Sequence, residues 1–370
     1  MKVQYQPKPP FLLSTFLVIF IIHANQVGIG IHGFQRVIFM VAKQDSWISV
    51  LIAGFVTHIV VFVMIKTLQL YRSTDIYGIH HDVYGKWLGK VFNSLYILYC
   101  LWVFLIILKN YIEVLQTWVF PTIPVWLFSS SIILLVIYGV TGGVRIIVGV
   151  CFFSVALSLW MFTFIGYPLR FADIDQLLPV MESNFVSILK GAHKMTLTII
   201  GFEILYVIYP YMEKKDKLQK YAHIGIAGTT VVYLLLMLVA IVYFSPGQLE
   251  STIWPTLSLF KIVRLPIIER TEFVALTFWL LIILPNLMLY LWAAVRGVKR
   301  TFGINTKGVL LAFTTCIFVM SLFINTRIKI NRFNDFFASV AFYITFCYPL
   351  VLYALARLKK KMNVHKENMK

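Results

Sequence analysis

Charge is scarce in this chain, and acidic charge is scarcer still. Charged residues make up 13% of the sequence, and only 15 are Asp or Glu. An ordinary soluble domain carries about twice that charged share, so a water-exposed globule is excluded. Cysteine is also sparse. Cys100, Cys151, Cys316 and Cys347 stand singly inside apolar runs, without a Cys-x-x-Cys pair or a Cys/His spacing. A metal centre and a disulfide framework are therefore not expected, and each thiol reads as a small packing residue. The chain also lacks a phosphate-binding glycine loop, a His-Glu-x-x-His and a Gly-x-Ser-x-Gly. No enzymatic chemistry and no cofactor are expected.

What is present is hydrophobicity. Sixty per cent of the 370 residues are apolar, and the mean hydropathy is +0.83. The apolar runs recur along the whole length, so residues 1–370 read as one integral membrane domain. The first run begins near Phe11, after Lys2 and Lys8, and no small-residue cleavage site follows it. It reads as a retained first span rather than a signal peptide. The expected architecture is all-α and polytopic, with ten spans at about 11–35, 47–70, 89–111, 124–141, 146–169, 194–210, 222–244, 273–295, 308–325 and 334–356. Each has about the length needed to cross a hydrocarbon core of ~30 Å.

The net charge of +18 belongs to the loops of one face. With the N-terminus inside, that face gathers most of the basic residues, including Lys214, Lys215, Lys217, Lys220, Arg296, Lys299 and Arg300. The positive-inside rule then puts both termini in the cytoplasm. The basic tail 357–370, with Arg357 and Lys359 to Lys361, suits an anionic lipid surface. The partner is the bilayer, and no nucleic acid is expected.

Two spans are interrupted by glycine beside polar atoms. One carries Asn25, Gln26, Gly28, Ile29 and Gly30; the other carries Gly201, Phe202 and Glu203. Glycine weakens a helix, and an intramembrane carboxylate is costly enough to mark function. The breaks fall on expected spans one and six. A separation of five spans, an odd number, makes the second half enter the membrane inverted relative to the first. This predicts a five-plus-five arrangement, with repeats at about 11–169 and 194–356. Unwound backbone in a membrane must face protein, water or ligand. Gly28, Ile29 and Gly30 would let a ligand approach the backbone, and the half-helix that follows offers free N–H groups to a carboxylate. Carbonyls around Ile200 to Phe202 would accept from an ammonium. Together they suit a small zwitterion such as an amino acid, with Phe202 as an aromatic gate. Glu203 has two readings, a ligand contact or a tether between half-helices. His23 reads as a packing residue. Tyr96 and Thr277 on spans three and eight are placed in the site by depth alone.

Outside the spans, residues 171–193 and 245–272 form the longest loops. The second holds Pro246, Pro255 and Pro266, and its stretch from Thr256 to Val263 reads as a short helix over the outer mouth, either a lid or a plug. Lys109 and Glu113, four apart near a span end, are expected to pair with each other or with water. Glu269, Arg270 and Glu272 read as an interfacial ion cluster.

Several of these segments resemble one family. Residues 253–260 (Ile-Trp-Pro-Thr-Leu-Ser-Leu-Phe) and then Ile267, Ile268, Glu269, Arg270, Glu272 and Trp279 resemble the loop and eighth span of spore germination permeases, the B-subunits of nutrient germinant receptors. Gly28 to Gly30 with Arg36, Leu178 to Val180, Gly201 to Glu203 with Pro210, and Lys299 to Gly303 fit as well. Gln35 stands where the family often has proline. The resemblance implies the LeuT-type fold of amino acid/polyamine/organocation transporters. It implies a subunit in the inner spore membrane that senses a nutrient, typically an amino acid. Its implied partners are a larger membrane A-subunit and a C-subunit lipoprotein. The alternative is a proton-coupled amino acid transporter. Span five has no lysine between Ile146 and Pro168 to carry that proton, and span eight offers little beyond Thr277 for sodium.

Overall fold

The computed structural model describes residues 3–264 and 270–368, and these are helical nearly throughout. Of the residues singled out above, Lys2, Pro266, Ile267, Ile268 and Glu269 lie outside the described residues. Among the described residues, seven helical stretches are long and apolar enough to cross a membrane, and Thr15–Gln26 and Val125–Thr141 are shorter apolar helices. Large side chains such as Phe55, Leu134 and Leu311 are exposed on the outer surface. In a bilayer that exposure is solvation by lipid, and the molecule is an integral membrane protein.

Every expected span falls on helix, but the two broken ones are divided. The first is α1 (Val18–Gln26) and α2 (Phe34–Ala42), joined by residues 27–33. Next come α3 (Ser46–Gln69), α4 (Ile76–Trp118), α5 (Val125–Thr141) and α6 (Val144–Ser158). Span five continues beyond α6 as a 3₁₀ stretch, Leu159–Gly166.

Span six begins earlier than expected. Its first half is α7 (Phe185–Lys194), followed by α8 (Thr196–Ile199), the break, and α9 (Leu205–Ile208). The sequence hides α7 because Lys190, His193 and Lys194 lower its hydropathy. Only Ile188 and Gly191 are buried in it, and Ser49 Oγ of α3 donates to the Ile188 carbonyl at 2.8 Å. The chain then runs through α10 (Leu218–Tyr243), two short helices, α11 (Pro246–Ser251) and α12 (Pro255–Lys261), and α13 (Thr271–Phe302). It closes with α14 (Thr306–Phe323), α15 (Arg327–Phe342) and α16 (Tyr348–Asn368).

The ion pairs correct one expectation. Glu113 does not pair with Lys109; its carboxylate accepts from Arg327 Nη1 of α15 at 2.5 Å. A guanidinium is the better partner for a half-buried carboxylate, because it is weakly hydrated. The Arg270–Glu272 pair is present at 3.0 Å, and Arg270 also lies 3.7 Å over the Phe273 ring.

At the end of the molecule that holds the N-terminus, one buried carboxylate ties four segments. Asp75 caps α4 by accepting from Gly78 N at 3.0 Å. It also accepts from Arg300 Nε at 2.8 Å, with Arg296 3.7 Å away. Arg296 in turn lies over the rings of Tyr5 and Tyr211, at 4.2 and 4.8 Å. The clasp joins the N-terminal segment, the start of α4, the end of α13 and the end of span six. Asp75→Ala removes the cap and leaves buried guanidinium groups without their carboxylate, an expected loss of about 3–5 kcal/mol. A thermal melt in detergent checks this.

Candidate functional site

The two breaks are knitted directly to each other. A carbonyl freed from a helix in an apolar interior must find a donor, and span one supplies them from side chains. Asn25 Nδ2 donates to the Gly201 carbonyl at 2.6 Å, and Gln26 Nε2 donates to the Ile199 carbonyl at 2.7 Å. Tyr233 of α10 bridges the breaks, with its hydroxyl 2.9 Å from the Gln26 carbonyl and 3.2 Å from that of Thr198. Trp279 Nε1 of α13 donates to the Gly28 carbonyl at 3.3 Å. Of the carbonyls expected to receive an ammonium, around Ile200 to Phe202, that of Gly201 is thus taken by the protein.

Glycine makes this contact possible. Gly201 sits at φ +124°, and a β-carbon there would stand 2.6 Å from the Asn25 carbonyl carbon. A β-carbon on Gly30 would stand 2.8 Å from Thr198 Cα. Both residues are where the backbones of spans one and six touch.

Glu203 is buried at 1% exposure, and its side chain is fully engaged. It accepts from Tyr99 at 2.7 Å, Tyr290 at 2.6 Å and the Gly201 N–H at 2.8 Å. Tyr96 donates to the Glu203 backbone carbonyl at 3.1 Å. Of the two readings of Glu203, the geometry is that of the tether: it caps its own break and fixes it to α4 and α13.

Between the breaks lies a central void of about 330 Å³, the open space at its mouth included. Gly28 and Gly30 line it together with Asn25, Gln26, Thr198 and Asn286, and Val103, Ile106 and Ile107 of α4 supply an apolar wall. Four polar atoms around it have no partner: Asn25 Oδ1, Gln26 Oε1, Asn286 Oδ1 and Asn286 Nδ2. Asn286 is completely buried. Sequence reasoning misses it, although the signal is present: an amide directly after Pro285 inside a membrane helix. Tyr290, one turn on, is missed with it.

Three expected site residues stand elsewhere. Phe202 is not a gate over the cavity; its ring packs edge-on against Phe346, centroids 5.4 Å apart, on the far side of the break. Thr277 is exposed on the outer face of α13, where its hydroxyl donates back to the Phe273 carbonyl at 2.9 Å. Depth along a helix does not fix facing, and α13 turns Trp279 and Asn286 inward instead. Tyr96 acts on the Glu203 backbone rather than on the cavity. The side chain of Ile29 lies outside the described residues.

Helices α11 and α12 close over span one. Thr256 Oγ1 of α12 donates to the Ile31 carbonyl at 2.7 Å and accepts from Gln35 Nε2 at 2.5 Å. Arg36 Nε donates to the Glu250 carbonyl at 2.6 Å, and Lys43 pairs with the Glu250 carboxylate. The short helices are therefore latched to α2 and to the first break. Thr256→Val deletes two hydrogen bonds, each worth about 1 kcal/mol net. Amide exchange across residues 246–261 is expected to quicken about tenfold, measured by mass spectrometry.

The chain is similar to known proteins in sequence and in fold. Residues 12–330 match the model of a family described as spore germination protein. Spore germination protein GerQB of Bacillus cereus is 36% identical over 95% of this chain and 98% of its own length. Spore germination proteins A2 and B2 of Bacillus subtilis (strain 168) are each 23% identical, over 96% and 95% of this chain and 99% and 96% of their own. Among solved structures, the nucleobase-cation-symport-1 family transporter Mhp1, closed with bromovinylhydantoin bound, superposes with a TM-score of 0.61 at 14% identity, over 92% of this chain and 77% of that one. A substrate-bound, outward-open Na⁺-coupled sialic acid symporter gives 0.54 at 12% identity, over 94% and 76%. These structures show the LeuT-type transporter fold. With the family model covering most of its length and a relative at 36% identity, the chain belongs to the spore germination protein family.

Proposed function

We propose that this chain is the germinant-sensing B-subunit of a nutrient receptor and binds a small zwitterion, an amino acid, in the central cavity. The observation that carries the reading is the unpartnered polar set. Gln26 Oε1 and Asn286 Oδ1 are acceptors for an ammonium, and Asn286 Nδ2 is a donor for a carboxylate. Their pairing with a ligand relieves the cost of leaving them buried and unsatisfied. Ligand binding favours one arrangement of the two halves because the ligand pairs these atoms in that arrangement only.

The chain lies in the inner membrane of the spore, with both termini cytoplasmic, and its halves, about 11–169 and 194–356, are inverted repeats about the paired breaks. It acts with a membrane A-subunit and a C-subunit lipoprotein, which receive the movement of the latched α11–α12 segment, and it performs no catalysis.

Asn286→Leu keeps the branched shape of the side chain and replaces its two polar atoms with methyl groups. In spores whose own copy is deleted, the variant is expected to reach the membrane in normal amount and to raise the nutrient concentration for half-maximal germination at least tenfold. An unchanged response would remove the central cavity from the sensing mechanism.

A further inference from the structure

A second cavity lies on the other side of the first break. It is a void of about 540 Å³, its open mouth included. Ile31 and His32 of the break form one wall, Trp279 and Ala275 of α13 another, and Phe162 of the 3₁₀ stretch a third. Phe260 of α12 roofs it. No Lys, Arg, Asp or Glu is among the lining residues described.

His32 is the anomaly. It is 4% exposed, it lines this void, and neither ring nitrogen has a hydrogen-bond partner. An uncharged imidazole carries one donor and one acceptor, and leaving both buried and unpaired is costly. Apart from His23, Ser158 and Thr256, the rest of the lining is apolar and holds several rings. The Trp279 ring meets His32 edge-on with centroids 3.7 Å apart, and Phe162 and Phe260 complete an aromatic enclosure that favours offset or edge-on contact with another ring. The outer wall is a 3₁₀ stretch of eight residues, Leu159–Gly166, longer than such helices ordinarily run. Leu159 and Trp160 on it are exposed where lipid would lie.

We propose that this lateral cavity is a binding site for a small uncharged aromatic molecule with a single hydroxyl group, which enters from the bilayer and hydrogen-bonds His32. A phenol has this chemistry: its ring packs among Phe162, Phe260 and Trp279, and its hydroxyl donates to the imidazole. The occupant touches two controls at once. Trp279 holds the Gly28 carbonyl at the edge of the central cavity, and Thr256, which lines the lateral one, latches α12 to Ile31. Occupancy therefore fixes the latched form. This consequence rests on the sensing role proposed above; the binding itself does not.

The test uses the full chain in lipid nanodiscs with a phenol carrying a trifluoromethyl-diazirine para to its hydroxyl. After irradiation, adducts are mapped by mass spectrometry. They are expected to concentrate on residues 158–165 and on Phe260. 4-Ethylphenol is expected to suppress them about fivefold more effectively than ethylbenzene, the advantage one hydrogen bond ordinarily gives. His32→Leu should erase that preference while labelling persists. Ala275→Phe and Leu236→Phe, which fill the void from different helices, should each reduce labelling at least tenfold, with unchanged melting as the check on folding. Adducts spread over lipid-facing residues such as Phe55 and Leu134 would overturn the proposal. So would a hydroxyl preference that survives His32→Leu. Labelling without any nutrient binding to the same sample would sink the sensing role and leave this site standing.

Discussion

Gly201→Ala is expected to prevent assembly of the folded chain. The residue sits at φ +124°, where an L-side chain is strained by about 1–2 kcal/mol, and its β-carbon would press on the carbonyl carbon of Asn25 at 2.6 Å and the amide of Gln26 at 3.0 Å. Those are backbone atoms and cannot swing aside. Overpacking of this kind adds about 1–3 kcal/mol, and separating the breaks also stretches the bonds from Asn25 and Gln26 to span six. Strain and overpacking together come to about 2–5 kcal/mol at the junction of both halves. Gly28→Ala is the control. Its β-carbon would meet only the end of the Asn286 side chain, Nδ2 at 3.0 Å, which can rotate. That variant should fold and melt close to the wild type but bind nutrient more weakly, because the added methyl enters the central cavity. Monodisperse elution in detergent and a melting curve separate the two. Equal behaviour of both variants would contradict the account of how the breaks fit.

Glu203→Ala is expected to be nearly as damaging, for the opposite reason. It adds nothing and removes an acceptor shared by three donors. The hydroxyls of Tyr99 and Tyr290 and the N–H of Gly201 are all buried, and each costs about 1–3 kcal/mol when left unpaired. A loss of at least about 3 kcal/mol follows, with loosening of span six from α4 and α13. Glu203→Gln keeps the shape and one acceptor oxygen. Its amide must face either the Gly201 N–H, donor against donor, or the two tyrosines, whose hydroxyls can turn to accept. The milder substitution should therefore cost about 1–2 kcal/mol and leave nutrient binding measurable. If Glu203→Gln abolished binding without any change in melting, the carboxylate would be a ligand contact, and the tether reading would fail.

Much of the architecture is legible in the sequence. Length of apolar runs locates helices because the bilayer imposes it, and a glycine break beside polar residues is visible because lipid tolerates neither. The α11–α12 segment is recognisable from Pro246 and Pro255, which open its two short helices. What stays hidden depends on facing and on partners. Thr277 and Trp279 differ by two positions, and only packing decides that Trp279 turns inward. Phe202 reads as a gate until Phe346 is seen to hold it. Hydropathy starts span six too late, at 194, because α7 is polar on one side and packs against α2 and α3 with the other. Asn25 and Gln26 sit in plain view, but their work is on the carbonyls of a segment some 170 positions away, a distance no local pattern bridges. Asn286 is the recoverable loss: a buried amide beside a helix proline carries the same warning as a buried carboxylate.

The central claim is that the space between the breaks receives a nutrient and that the chain senses it without pumping it. Paired measurement of equilibrium binding and of uptake answers this most directly, using one panel of labelled amino acids and the purified chain in proteoliposomes. The account predicts saturable binding of at least one compound at one site per chain, weakened tenfold or more by Asn286→Leu, with no accumulation in the lumen under a sodium or proton gradient. Gradient-driven accumulation, or binding indifferent to Asn286→Leu, would contradict it.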